Sequence, residues 1–160
     1  MNTTETPKKI TAVSYGGGIQ STALAYLVIN RHPELLAVVD ALPDCFIFAD
    51  VGDEPASVYD TVAATKASLE AVGIDLATVK KTTPYGDTLS KDILGRLERG
   101  ELGLDVPPMF AANLEGEAVP MNRQCTSKWK VKVIHEKLKR RAGLNLRKPS
   151  HRARVYVDQW

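Results

Sequence analysis

A short apolar run, Ile10-Thr11-Ala12-Val13, leads into Ser14-Tyr15-Gly16-Gly17-Gly18-Ile19-Gln20-Ser21-Thr22, and this stretch restricts the fold more than any other. The run has β character, the glycines make a turn, and apolar residues at helical spacing begin near Ile19. Strand, glycine turn and helix, in that order, open an α/β unit. Without Cβ atoms the bend is free to take positive φ, and its N–H groups can approach an anion closely. The helix that follows aims its unpaired N–H groups and the positive end of its dipole at the same spot. Ser21 and Thr22, in its first turn, would add hydroxyl donors. The stretch reads as a phosphate cradle or as a plain tight βα connection, and local sequence alone does not separate the two.

The rest of the chain extends the pattern. Residues 1–9 are polar, contain Pro7 and are expected to form a loose tail, with residues 10–160 as a single domain. The first strand is expected over residues 10–14. In the first helix Ile19, Ala23 and Leu27 fall at four-residue steps beside Leu24 and Val28, which predicts a wide buried face ending before Pro33. Cys45 to Ala49 is a continuous apolar run, as expected of a strand covered on both faces. It ends in Asp50, Asp53 and Glu54 around Gly52. A carboxylate at the C-terminal end of a parallel strand lies where open α/β sheets take their ligands. Asp50 and Asp53 would there hold Mg²⁺, directly or through water. The structural alternative is that Asp53 or Glu54 caps the following helix, with Pro55 in its first turn; the ligand-facing role is favoured for Asp50.

That helix is expected over residues 55–72, with Val58, Val62, Leu69 and Val72 on one face and Gly73 as its stop. A third strand follows over residues 74–80. Alternating strands and helices imply a doubly wound, mainly parallel sheet with helices on both faces. Residues 82–122 carry many glycines and prolines, with one helix near residues 88–99, and suit a lid or binding loop. Thr126 or Ser127 is expected to cap a helix reaching Ala142, with Val131, Ile134, Leu138 and Ala142 as its buried stripe. Arg123 and Lys130 would hold phosphate or sulfate oxygens near its start. Cys125 has two readings, a thiolate favoured by its cationic neighbours or a buried inert thiol.

With 160 residues, 44% of them hydrophobic, the chain is long enough for one real core. No apolar run reaches membrane-spanning length and no signal-like segment opens the sequence, so a soluble cytoplasmic protein with no membrane partner is expected. Charge is unevenly spread: residues 1–121 hold 9 Lys/Arg against 17 Asp/Glu, and residues 122–160 hold 12 against 2. Basic residues within 123–154 would suit a nucleotide, a nucleic acid or an acidic partner, or form a solvated helix face. A homo-oligomer is compatible with all of this. The two cysteines, Cys45 and Cys125, cannot supply a four-thiolate iron–sulfur site, so no such cluster is expected from one chain.

Residues 16–21 resemble the PP-loop, Ser-Gly-Gly-x-Asp-Ser, of the ATP pyrophosphatases and the related phosphoadenylyl-sulfate (PAPS) reductases. Gly17, Gly18 and Ser21 match, while Gly16 replaces the first Ser and Gln20 the Asp. The stretch departs from a P-loop, which needs Gly-Lys-Ser/Thr, and from G-x-G-x-x-G. Phe48 to Pro55, with Val58-Tyr59, resembles the Asp-Thr-Gly segment after the second strand of PAPS reductase-like proteins. Cys125 and Lys130 match the Cys-x4-Lys signature of those proteins and of DNA-phosphorothioation proteins, with Val133 in place of a Pro. Thr126 stands where iron–sulfur members have a second cysteine.

The resemblance implies a Rossmann-type fold of the adenine nucleotide alpha hydrolase-like kind. It implies that Ser14, Gly16, Gly17, Gly18, Gln20, Ser21, Thr22 and Asp50 bind the nucleotide, and that Lys130, Arg123 and Cys125 act in catalysis. The expected activity is cleavage of ATP between its α and β phosphates, with Mg²⁺, to activate a substrate. Two alternatives stay open: sulfur transfer from PAPS to a thiol, within sulfur metabolism, and a non-catalytic nucleotide- or nucleic-acid-binding subunit. Relatives usually continue past a similar tryptophan, so Trp160 suggests a short or truncated member without the C-terminal tail.

Overall fold

The computed structural model describes residues 10–101, 110–112, 116–120 and 126–144. The elements in chain order are β1 (Ala12–Tyr15), α1 (Ile19–Ile29), the short α2 (Pro33–Leu36), β2 (Cys45–Asp50), α3 (Ala56–Ala71), β3 (Asp75–Lys80), α4 (Leu89–Glu98), β4 (Phe110–Ala112), β5 (Ala118–Pro120), a π-helical segment (Thr126–Val131) and α5 (Lys132–Arg141). β1, β2 and β3 form a parallel sheet in that order. Tyr15 pairs with Phe48 and Asp50 with Lys80. The chain is thus α/β, as its strand and helix alternation predicts.

Parallel neighbours need crossovers, and right-handed crossovers running the same way across a sheet put their helices on one side. α1 and α3 accordingly share a face, where Tyr15, Phe46, Phe48 and Leu76 pack with Val28, Val62 and Leu69. The opposite face of β2, built from Cys45, Ile47 and Ala49, packs against Ile134 and Leu138 of α5. Because strand side chains alternate, an apolar run without polar interruptions serves both layers at once. Tyr15 meets Phe46 and Phe48 edge-on, with centroids 6.4 and 6.5 Å apart, the geometry that ring quadrupoles favour.

Between the sheet and α3 runs a polar thread that periodicity did not reveal. Thr65, fully buried in α3, accepts a hydrogen bond from the Tyr15 hydroxyl at 2.9 Å. Having one proton, Tyr15 then accepts from Thr22 Oγ1 at 2.8 Å. Burying the Tyr15 and Thr65 hydroxyls, with Thr22 half-buried beside them, costs little only when each is satisfied in this way.

Several expectations need correction. On α1 the buried residues are Ala25 and Val28, while Ile19 is 90% exposed and Ala23 and Leu27 also face outward. The helix is apolar almost all round, so tertiary contact with Tyr15 and Phe46 chose its inner face. Val72 at the end of α3 is likewise exposed. Pro55 stands just before α3, which has no side-chain cap. The stretch expected to be irregular contains an antiparallel pairing, with Phe110 opposite Pro120; three-residue strands are too short to show a period. The last helix begins as a π-helix and becomes α-helical only at Lys132, with Trp129 fully buried. Residues 154–160, Arg154-Val155-Tyr156-Val157-Asp158-Gln159-Trp160, whose composition suits a strand, lie outside the described residues.

Candidate functional site

The C-terminal ends of the parallel strands meet the glycine turn, the β2–α3 connection and the end of β3. Gly17 has φ +73°, and a Cβ there would lie 2.7 Å from Val58 Cγ1. One of the three glycines is therefore required by α3 itself. Gly18 precedes α1 with φ −86°, and a Cβ on it would meet nothing within 4 Å. The turn is braced from within: Ser21 Oγ accepts from the Gly16 N–H at 3.3 Å and donates to the Gly18 carbonyl at 3.1 Å. Thr22, expected to face an anion, instead spends its hydroxyl on Tyr15. Ser14 and Gln20 are exposed.

The N-terminus of α1 is the open one. It has no side-chain cap and no acidic residue in its first turn, and the Ile19 and Gln20 N–H groups meet no acceptor among the described residues. α4 contrasts with it. Leu89 N–H donates to the Val51 carbonyl at 2.9 Å, Ser90 N–H to Asp53 Oδ2 at 2.7 Å, and Lys91 N–H to Thr88 Oγ1 at 3.2 Å. Asp53 thus caps a helix, but α4 and not the adjacent α3. Gly52, at φ +80°, lets this contact form, because a Cβ would lie 2.6 Å from Thr88 Cγ2.

Asp50 ends β2 and is held from both sides. Its Oδ1 accepts from the Gly52 N–H at 2.7 Å and from the Tyr59 hydroxyl at 2.8 Å. Its Oδ2 lies 3.8 Å from Lys80 Nζ. Burial, and then the bond to Asp50, push the Tyr59 phenol above its ordinary pKa, so it stays a proton donor at neutral pH. Glu54, on the same connection, receives Lys130 Nζ at 2.8 Å. The glycine turn is therefore packed against α3, through Val58, and the β2–α3 connection reaches the π-helical segment through Glu54. Arg123 and Cys125 lie outside the described residues.

Sequence reasoning missed Tyr59 and Lys80 as members of this site. Lys80 had a signal: it is the last residue of the third strand, in register with Asp50. It also pairs with Asp87 at 3.1 Å, and Lys91 reaches the other Asp87 oxygen at 3.0 Å. Hydrogen bonds from Lys91, and then Lys80, lower the Asp87 carboxyl from 3.8 to about 2. A carboxyl with a depressed folded-state pKa stabilises the fold above its unfolded value and loses that contribution as pH falls through the folded one. Asp87→Asn should therefore flatten the fall in stability between about pH 4 and about pH 2, measured by urea unfolding across that range. An unchanged acid limb would refute the network's contribution.

Among the described residues no cluster of three or more His, Cys, Asp or Glu side chains is placed to hold a metal, and no helix is long and apolar enough to cross a membrane. No protein-family model, curated protein or solved structure matches the chain.

Proposed function

We propose that this chain is a PP-loop nucleotide-binding domain of the doubly wound, Rossmann-type kind that binds ATP and cleaves it between the α and β phosphates. The observation that carries the reading is the unclaimed N-terminus of α1, set behind the glycine turn at the C-terminal edge of a parallel sheet. Free N–H groups and a helix dipole at that edge favour a phosphate. The resemblance of residues 16–21 to a PP-loop points to the same place.

In this reading the α1 N–H groups bind phosphate oxygens, and Ser21 keeps the turn in shape from within. Lys130, now paired with Glu54, exchanges that carboxylate for the phosphate charge. An acceptor oxygen attacks the α-phosphorus, the bond to the bridging α–β oxygen breaks, and pyrophosphate leaves with the electron pair. The acceptor is left adenylated, and its hydrolysis gives AMP. The dipole and Lys130 stabilise the charge that develops on the phosphoryl oxygens, with no protein nucleophile required. Asp50 Oδ2 and Asp53 Oδ1 accept no hydrogen bond among the described residues. They fit a Mg²⁺ that arrives on the nucleotide, since that ion takes one or two carboxylates beside phosphate oxygens. Such an ion would supply charge neutralisation on the departing pyrophosphate.

The test is calorimetric titration with ATP and Mg²⁺ and, separately, with PAPS, followed by analysis of the samples for AMP and pyrophosphate. ATP binding with release of both products supports the proposal. Binding of PAPS alone would replace it with the sulfonucleotide reading, and binding of neither would end it.

A further inference from the structure

We propose that the exposed face of α5 binds the phosphate backbone of nucleic acid. The inference is independent of what occupies the α1 N-terminus. Lys130 meets Glu54 just after β2, and Arg141 Nη1 meets Asp75, the first residue of β3, at 2.7 Å. α5 therefore runs antiparallel to the strands, from the C-terminal edge of the sheet to its opposite end. At about 1.5 Å per residue it spans roughly 15 Å, and its cations run the whole way.

Lys132, Lys137, Lys139 and Arg140 have no carboxylate partner among the described residues, and Lys132, Lys137 and Arg140 are exposed. Glu136 is the single acid of the helix. Lys137, Arg140 and Arg141, with Asp75, line an open cleft of about 430 Å³ at its far end. The cations of the last turn also suit the helix dipole, but Lys132 does not. It follows the π-helical segment in the middle of a continuous helix, where the dipole gives its charge no role.

Two features select nucleic acid among negatively charged partners. The apolar residues of α5, Ile134 and Leu138, are already packed on β2, so the helix has no apolar face to insert into lipid. Its exposed positions are charged, whereas a protein partner would be met by a centre of apolar and aromatic residues. A phosphate backbone needs no such centre, only cations that displace its counterions. Cations on a phosphate backbone fix position and not sequence, so the binding proposed is of the sequence-independent kind.

The experiment measures anisotropy of labelled duplex and single-stranded DNA of arbitrary sequence with the full chain, across a salt series. With about four cations engaged, affinity should fall roughly 100-fold between about 50 and about 200 mM salt. The triple variant Lys132→Gln, Lys139→Gln, Arg140→Gln should weaken binding at least about tenfold at the lower salt. Its unfolding midpoint should stay unchanged, as these side chains make no ion pair among the described residues. Lys66→Gln, on α3 across the sheet, should leave binding alone. No binding at low salt overturns the proposal, as does binding that the triple variant retains. Equal affinity for polyglutamate would also overturn it, by reducing the face to a general anion surface.

Discussion

Gly17→Ala is expected to lower folding stability by about 2–4 kcal/mol, whereas Gly18→Ala, its neighbour, should cost no more than about 1 kcal/mol. The contrast follows from the backbone. Gly17 lies at φ +73°, a conformation that costs an L-residue roughly 1–2 kcal/mol. Its new methyl would also lie 2.7 Å from Val58 Cγ1 and 3.3 Å from Val62 Cγ2. Both are β-branched side chains on a helix, with one strongly preferred rotamer, so neither can swing away cheaply. Relief must come from moving α3, whose Tyr59 holds Asp50. At Gly18 the φ is ordinary and the space open, so the loss is that of a helix-capping glycine. Urea midpoints of the two variants decide the matter, and equal shifts would refute this account of the turn. The pair also divides structure from binding. Gly18→Ala places a methyl beside the open end of α1, so the proposed ATP binding should suffer there while stability survives.

On the proposed cleavage of ATP, Lys130→Met should reduce formation of AMP and pyrophosphate by about 10²–10³-fold, the usual consequence of removing one donor from a developing phosphoryl charge. The fold should survive, since an ion pair whose lysine is more than a third exposed contributes within about 1 kcal/mol. A rival explanation is that the freed Glu54 carboxylate repels the nucleotide. The double variant Lys130→Met, Glu54→Gln separates the two. If repulsion were the cause, the amide would restore turnover; if the lysine acts on the phosphoryl group, the double variant stays slow. Full activity in Lys130→Met, or full rescue by Glu54→Gln, would remove Lys130 from the mechanism.

Those residues differ in how visible they are in the sequence. The β1–turn–α1 unit, β2 and α3 are legible because strong local signals agree: a glycine turn, an apolar run and a helical period closed by Gly73. Asp50 is legible for the same reason, being the first acid after a buried strand. Partners are much less legible, because they are fixed by where elements dock. Asp53 has the composition of a cap, yet which helix it caps depends on α4 folding back over Gly52. Lys130 looks like one more surface lysine until the π-helical segment carries it to Glu54. The inner face of α1 is the clearest miss. Its apolar residues surround the helix, and a period cannot choose a face when every side qualifies.

The layer beneath α5 holds a built-in clock. Cys45 is fully buried at the start of β2, and burial raises its thiol pKa, against the opposing effect of Arg141. A thiol in that state reacts with a disulfide reagent only when the helix above it lifts away. In a Cys125→Ser chain the labelling rate would therefore time the departure of α5 from the sheet, separately from unfolding of the layer of α1 and α3. Polyanions that grip the outer surface of that helix would slow the clock or quicken it according to whether they hold α5 down or pull it off.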